Sequence, residues 1–315
     1  MSLDPQVEEL LGLIEQHLPA LGSVPIDEFR AINSSLISAL PPGPEIHRVQ
    51  DSVLSGPGGS VALRLYVPQP GLPAGVILYF HGGGWTVGDL DGHDVPLRLL
   101  AQATGLPVVS VNYRLAPEHP FPAAVEDAYA ALEWVSQVIP SWFGPAVPLV
   151  VAGDSAGGNL AAVISIMARD RKGPHIAAQV LLYPSTAGCE FIHSPELQAF
   201  EPPFLSLKDI EWFIDQYVPD VEARRDFRFA PLFTPGLEDL PPALVLTAEY
   251  DLLTAEAEAY AQLLRDAGNT SETQRYDGTV HGFFSLAPNH RQAIRARKDI
   301  QEFVDRALSG GQAGR

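Results

Sequence analysis

The ten residues Val150-Val-Ala-Gly-Asp-Ser-Ala-Gly-Gly-Asn159 join an apolar run to a helical pattern in this chain of 315 residues. They contain Gly153-Asp-Ser-Ala-Gly157, a G-x-S-x-G pattern between a predicted strand and a predicted helix. Small residues at the two glycine positions permit a tight turn that leaves Ser155 exposed on a strained backbone, beside the positive end of a helix. The pattern predicts a nucleophilic serine, and the alternative is a glycine-rich turn that only enters a helix.

A serine hydroxyl is a weak nucleophile, so it needs a base and an acid that orients the base. Among nine histidines, His281 is the candidate, because it lies in a loop after a late predicted strand. The acid should lie between the serine and this histidine, and Asp251 comes directly after the apolar run 243–248. Glu249 is a rival, since alternation would put both carboxylates on one side of a strand. We favour Asp251, whose loop is free to reach a histidine; the alternative is a surface histidine and an aspartate that caps a helix.

Three consecutive glycines follow another apolar run, in His81-Gly-Gly-Gly-Trp85. Glycines leave backbone N–H groups unobstructed, so Gly83 and Gly84, together with Ala156, are candidate donors to an oxyanion. A phosphate cradle is the competing interpretation of a glycine loop. It is disfavoured, because the chain has neither a Gly-Lys-Ser/Thr ending nor a G-x-G-x-x-G followed about 20 residues later by an acid.

Strand-like and helical patterns alternate along the chain, which predicts an α/β fold with a mostly parallel central sheet flanked by helices. The strand-like runs are 60–67, 75–80, 106–111, 148–152, 178–183 and 243–248, and the helical stretches between them include 123–137, 158–169 and 254–267.

Two segments depart from this alternation and predict a separate layer over the sheet, called the cap below. Two amphipathic helical patterns open the chain, and a later aromatic and proline-rich segment holds one helical piece, 207–217. The predicted division is N-terminal cap helices 1–44, core 45–186, cap insertion 187–230, core 231–308 and a flexible tail 309–315. Residues that could line a substrate pocket under the cap, with core packing as the alternative for each, are Trp85, Phe204, Leu205, Trp212 and Phe213.

Composition limits the partners of the protein. The chain carries 38 acidic and 20 basic residues, a net charge of −18, which argues against binding to nucleic acid or to anionic membranes. No apolar run is long enough to span a membrane, and the first residues are acidic rather than basic. The single cysteine, Cys189, cannot form an internal disulfide and is interpreted as a packed thiol, and no zinc-ligand spacing occurs. We expect a cytoplasmic protein without a metal, either a monomer or a homodimer.

Several separated motifs together resemble the bacterial hormone-sensitive-lipase-like carboxylesterases, over about residues 45–305. These motifs are His81-Gly-Gly-Gly-Trp85, Asn112-Tyr-Arg-Leu-Ala-Pro-Glu-His-Pro-Phe-Pro122, Gly153-Asp-Ser-Ala-Gly-Gly-Asn159, Asp251 and His281-Gly-Phe283. The resemblance implies an α/β-hydrolase fold with a helical cap that cleaves short- to medium-chain carboxylic esters through an acyl-enzyme, without a metal or cofactor. It assigns a triad to Ser155, Asp251 and His281 and an oxyanion hole to Gly83, Gly84 and Ala156, and it makes His81 and residues 114–122 supports of the oxyanion loop.

Two other activities remain open on the same residues. An amidase or acyl-peptide hydrolase would use the same triad with an amine as leaving group. A non-catalytic small-molecule receptor of this fold would be expected to have lost a triad member, and this chain keeps all three candidates. One departure is Leu252, where family members commonly carry proline after the acid; we expect it to alter loop stability before chemistry.

Overall fold

The computed structural model describes residues 3–39, 41–145, 147–188 and 202–310. Cys189 lies outside these ranges, as do residues 190–201 of the predicted cap insertion and residues 311–315 of the predicted tail.

Eight strands and nine α-helices are present in these described residues, beside two short 3₁₀ helices. The strands are β1 (Arg48–Gly56), β2 (Gly59–Val67), β3 (Val76–Phe80), β4 (Val108–Asn112), β5 (Leu149–Asp154), β6 (Ala178–Leu182), β7 (Ala243–Tyr250) and β8 (Ser271–Val280). The helices are α1 (Pro5–His17), α2 (Ile26–Ser38), α3 (Asp94–Thr104), α4 (Ala123–Phe143), α5 (Ala156–Arg171), α6 (Leu207–Tyr217), α7 (Thr254–Asp266), α8 (Phe283–Leu286) and α9 (Arg291–Gly310).

The strands form one sheet in the order β1-β2-β4-β3-β5-β6-β7-β8. The pairs β1/β2 and β2/β4 are antiparallel, and every other neighbouring pair is parallel. The predicted mostly parallel sheet of an α/β fold is therefore confirmed.

The central strands are buried throughout and mostly apolar, because helices cover both faces of the sheet. Every residue of β3, β5 and β6 is buried. Leu78 packs into one hydrophobic cluster with residues of α4 and α5, whereas its neighbours Ile77 and Tyr79 pack into a second cluster with residues of α3 and α9. Alternate side chains of one strand thus enter two separate cores.

The pattern of apolar residues did not predict strand β1. It lies at the edge of the sheet and pairs only with β2, and Leu54 is its one buried residue. With so few buried side chains, the strand shows little apolar alternation. At the other end of the chain, α9 continues through Gly310, into the first residues of the predicted tail.

The described cap helices contact the loops at the carboxyl ends of the strands. In α2, Arg30 donates hydrogen bonds to the carbonyls of Thr86 and Ala116, both at 2.8 Å. Helix α6 buries Ile210 and Ile214 and begins with a capping box. Across the described ranges, none of the helices combines the length and the apolar character needed to cross a membrane.

Candidate active site

Ser155 is the single residue between the end of β5 and the start of α5. Its backbone has φ 56° and ψ −118°, a sparsely populated conformation that costs about 1–3 kcal/mol for a residue with a side chain. Its N–H bonds the carbonyl of Leu182 at 2.8 Å, which ties the turn to β6. A Cβ atom on Gly157 would collide with the carbonyl of Phe80, so the turn requires glycine there.

A chain of two hydrogen bonds connects Asp251, His281 and Ser155. Oδ2 of Asp251 lies 2.7 Å from Nδ1 of His281, and Nε2 of His281 lies 2.8 Å from Oγ of Ser155. Because a carboxylate only accepts, Nδ1 carries the proton and Nε2 is left as an acceptor for the serine hydroxyl. The three predicted residues follow β7, β8 and β5, whose carboxyl ends meet at one edge of the sheet.

The structure also separates the two carboxylates near the end of β7. Glu249 lies at an irregularity of the strand and accepts the N–H of Gly278 at 2.7 Å. Asp251, beyond the strand end, accepts the N–H of Leu253 at 2.9 Å with its other oxygen. Leu252, at the position of the family proline, is buried and packs into the main core. The carboxylate on His281 is therefore that of Asp251.

The candidate oxyanion donors surround the turn at Ser155. Gly83 has φ +114° and Gly84 has φ +56°, in the left-handed region that favours glycine. Within the described ranges, the N–H groups of these two residues have no protein acceptor. Ala156 is the first residue of α5, where N–H groups lack partners inside the helix and the dipole favours negative charge. All three N–H groups are available to a ligand.

A buried imidazole supports the glycine loop. The ring of His81 stacks on Tyr113 at 4.3 Å, and the hydroxyl of Tyr113 donates to the carbonyl of His81 at 2.7 Å. Burial lowers the pKa of His81 to about 4, so the ring is neutral at pH 7. Its Nδ1 donates to the carbonyl of Gly82 at 2.8 Å.

The five candidate pocket residues occupy different environments. Phe213 is half-buried with its ring against Gly84, and half-buried Phe204 lies beside Gly282. Leu205 packs against the main core. Trp85 is only 3% exposed and stacks on Tyr217 with ring centroids 4.6 Å apart, so it is a core residue in this structure.

The fifth residue, Trp212, packs against the N-terminal helical segment. Its indole contacts Gly22, in the turn between α1 and α2. Among the five candidates, Phe204 and Phe213 therefore lie next to predicted catalytic segments, Phe204 beside the residue after His281 and Phe213 against the oxyanion loop.

Three buried residues of the site have no role that their sequence motifs reveal. Tyr183 places its ring edge-on to His281, with centroids 4.9 Å apart. Asp154 accepts hydrogen bonds from Tyr79 of β3, from Gly82 of the glycine loop and from Ser285 of α8. Glu256 accepts the N–H groups of Thr186 and Ala187 at 2.5 and 3.3 Å. Asp154 stands inside the serine motif and Glu256 one helical turn after Asp251, but their partners are distant in sequence. No cluster of three or more His, Cys, Asp or Glu suited to a metal occurs in the described part of the chain.

Comparison with known sequences gives related enzymes from several organisms. The profile of a family described as having the α/β hydrolase fold matches residues 77–285. The chain is 40% identical over 298 residues to the carboxylic ester hydrolase LipN of Mycobacterium tuberculosis. These residues cover 90% of this chain and 78% of the relative. It is 35% identical over 301 residues to an ethyl acetate hydrolase of Pseudomonas putida, covering 91% and 93% of the two chains.

The similar solved structures are also those of esterases. A hyperthermophilic esterase from Pyrobaculum calidifontis is similar with a TM-score of 0.86 and 37% identity, over 98% of this chain and all of the other. An ester hydrolase from the metagenome of Lake Arreo, complexed with a bipyridine phosphonate derivative, has a TM-score of 0.89 and 35% identity over 98% and 99% of the two chains. The resemblance to esterases that the motifs indicated is thereby confirmed, and the chain belongs to this family of α/β-hydrolase-fold proteins.

Proposed function

We propose that this protein is a serine carboxylesterase that hydrolyses short- to medium-chain carboxylic esters through an acyl-enzyme. The observation that carries the proposal is the continuous hydrogen-bonded chain from Asp251 through His281 to Ser155. It stands beside three N–H groups available to an oxyanion, on Gly83, Gly84 and Ala156.

In the first half-reaction, Oγ of Ser155 attacks the ester carbonyl carbon while Nε2 of His281 takes the hydroxyl proton. The N–H groups of the oxyanion hole stabilise the negative charge that develops on the carbonyl oxygen. His281 then gives its proton to the departing alkoxide, and an alcohol leaves. Asp251 keeps Nδ1 protonated and stabilises the imidazolium ion.

In the second half-reaction, water replaces the alcohol. His281 takes a proton from the water as its oxygen attacks the acyl carbon, and the same proton returns to Oγ of Ser155 as the ester bond to the enzyme breaks. The products are the carboxylic acid and the free serine. No group other than the residues named is needed for the atoms to balance.

The substrate class is supported by the two aromatic side chains at the site. Phe213 on the oxyanion loop and Phe204 beside Gly282 offer apolar walls to an acyl or alcohol group. Relatives named ethyl acetate hydrolase and acetyl esterase act on esters of a short acid, which favours small acyl groups here as well.

The test is a set of initial rates on p-nitrophenyl esters from acetate to palmitate. We expect wild type to prefer the shorter chains and Ser155→Ala to lose about 10⁴–10⁶-fold in kcat. Asp251→Asn should lose about 10⁴-fold, because the amide no longer holds the correct histidine tautomer. The matched control is Glu249→Gln, which keeps an acceptor for Gly278 and should stay near wild type.

Matched ester and anilide substrates separate the esterase from an amidase. Esters should be turned over much faster, since an amine is the poorer leaving group. An undiminished esterase rate in Ser155→Ala, or tight ligand binding without turnover in wild type, would contradict the proposal.

We also propose that the protein works in the cytoplasm, as a monomer or homodimer. A chain with one cysteine cannot form an internal disulfide, the bond that oxidising compartments favour, which supports the location. Cell fractionation tests the first statement, and light scattering of the purified protein tests the second.

A further inference from the structure

One buried carboxylate joins three of the segments that carry the proposed catalytic groups: the turn at Ser155, the glycine loop and the segment after His281. Asp154 precedes Ser155 and is 3% exposed. Its Oδ1 accepts the N–H of Gly82 at 2.9 Å and the hydroxyl of Tyr79 at 2.8 Å. Its Oδ2 accepts the hydroxyl of Ser285 at 3.0 Å. The esterase chemistry proposed above uses none of these bonds directly.

The contact with Gly82 matters because the oxyanion loop is intrinsically flexible. Gly82, Gly83 and Gly84 are consecutive, and glycine loses more conformational freedom on folding than any other residue. A donor contributes to catalysis only when it is already aimed at the position that the oxyanion will occupy. The bond from Gly82 to Asp154 fixes the peptide directly before the two donors and joins it to the nucleophile's own turn.

The fit between the carboxylate and the loop is tight. A Cβ atom placed on Gly82 would lie 2.6 Å from Oδ2 of Asp154, which leaves no room for a side chain. The glycine at this position is therefore explained by the carboxylate rather than by a positive φ. Any residue with a side chain at position 82 would collide with the carboxylate of Asp154.

The other oxygen reaches the segment that carries the base. Ser285 belongs to α8, which follows His281 directly, and its N–H bonds the carbonyl of Gly282 at 3.1 Å. Burial acts to raise the pKa of Asp154, but attraction to His93 and the hydrogen bonds outweigh it, so the pKa lies below its usual value. An ionised carboxylate can accept from all of these donors at once.

We propose that Asp154 is a positioning residue that, through its acceptor oxygens, holds the oxyanion loop and the histidine segment in register with Ser155. The inference rests on the proposed esterase function and adds to it a residue that touches no substrate. It acts through Gly82 on the donors of Gly83 and Gly84.

The test compares three substitutions at this position by kcat and KM on p-nitrophenyl acetate. Asp154→Ala removes every acceptor, and Asp154→Leu fills the space without an acceptor. For both we expect kcat to fall about 10–100-fold, less than the loss of a whole donor, with KM changed less than about 3-fold. Asp154→Asn should rescue most of kcat, because its oxygen still accepts from Gly82 and Tyr79 and its nitrogen can donate to Ser285.

A trifluoromethyl ketone inhibitor reports on the oxyanion hole itself, since its adduct with the serine is an oxyanion. Its inhibition constant should rise in parallel with the loss of kcat in Asp154→Ala. The double variant Asp154→Ala/Ser285→Ala should be no worse than Asp154→Ala, because the bond from Ser285 is already lost. The control is Asp170→Ala, at the exposed end of α5.

Circular dichroism establishes that each variant is folded, and if Asp154→Ala does not fold, Asp154→Leu against Asp154→Asn decides. Normal kcat in the variants without an acceptor, equal damage in Asp154→Asn, or an unchanged trifluoromethyl ketone constant would overturn the inference. Failure of the proposed function has a different signature, an esterase rate that survives Ser155→Ala.

Discussion

Asp251, in the loop after β7, and Glu256, in α7, are two buried carboxylates with different partners and different charge. Asp251 faces His281, a partner that is stabilised by negative charge. Glu256 accepts hydrogen bonds from the N–H groups of Thr186 and Ala187 and from the side chain of Ser185. Burial raises its pKa to about 8, and the charge of Asp251 acts in the same direction. At pH 7 Glu256 is therefore mostly a neutral acid that joins the start of α7 to the segment after β6.

This raised pKa predicts a loss of stability with rising pH. Below the usual glutamate pKa of 4.5 the carboxyl is protonated in both states; between 4.5 and about 8 only the unfolded chain ionises. Over that window the free energy of unfolding should fall by up to about 1.4 kcal/mol per pH unit on account of this group. Glu256→Gln, which stays neutral and keeps an acceptor for Thr186 and Ala187, should remove this slope.

Urea denaturation of both proteins at several pH values between about 5 and 8 measures the difference. The variant should gain on wild type as the pH rises. Exposed Glu133 provides the control, since Glu133→Gln should leave the slope as it is. Parallel curves for wild type and Glu256→Gln would show that Glu256 ionises normally in the folded protein.

At the scale of the elements, the Arg30 side chain of α2 forms hydrogen bonds to the loops near the proposed active site. Arg30 bonds the carbonyls of Thr86 and Ala116 and pairs with Glu118 through two bonds of 2.7 and 2.9 Å. Ala116 in turn donates to the carbonyl of Trp85 at 2.8 Å. The cap helix is thus joined to the segment directly after the oxyanion glycines.

Arg30→Ala should lower the free energy of unfolding by about 2 kcal/mol, the usual contribution of hydrogen bonds to a charged group. Glu118→Gln should cost less than about 1 kcal/mol, because the pair is partly exposed and such pairs contribute little. Chemical denaturation of the two variants tests the ranking. Equal losses would mean that the ion pair, and not the two backbone carbonyls, holds the helix.

The elements differ in how far the sequence predicts them. The helical piece 207–217 coincides with α6, because its apolar face and the Ser206 cap are both local signals. Strand β1 leaves no such signal, since one buried residue cannot produce an alternating pattern. Strand β1 is held at the edge of the sheet by antiparallel pairing with β2, the strand that follows it in the chain.

The molecule as a whole carries a net charge of −18. Such an excess of one sign destabilises the compact state by self-repulsion, and salt screens it, with a Debye length near 10 Å at 0.1 M and near 3 Å at 1 M. Even so, many acidic side chains are paired, such as Asp51 and Asp91 with Arg64.

Raising sodium chloride from about 0.02 to about 0.5 M should therefore raise the melting temperature by a few degrees, because the unpaired acidic excess outweighs the exposed pairs that salt also weakens. The value of kcat/KM on p-nitrophenyl acetate should change less than about 2-fold, since a neutral ester is not steered by charge. Differential scanning fluorimetry and initial rates give the two readouts. A melting temperature that falls with salt would mean that ion pairs dominate the stability.

The sequence alone predicts Ser155 and His281 of the proposed triad and the glycine loop, and it favours Asp251 over Glu249 as the acid. Each depends on short-range features: small residues around a serine, an acid at the end of an apolar run, and glycines after a strand. The α/β alternation is likewise a local property, because strands and helices bury their side chains with different periods.

Only the tertiary structure determines which residues far apart in sequence contact each other. Glu249 and Asp251 are equivalent in a pattern, and the irregularity of β7 and the position of His281 distinguish them. Trp85 is as aromatic as Phe213, yet one stacks in the core and the other lies on the oxyanion loop. Asp154 has no visible partner in the sequence, because Gly82 and Ser285 approach it only when three loops meet at one edge of the sheet.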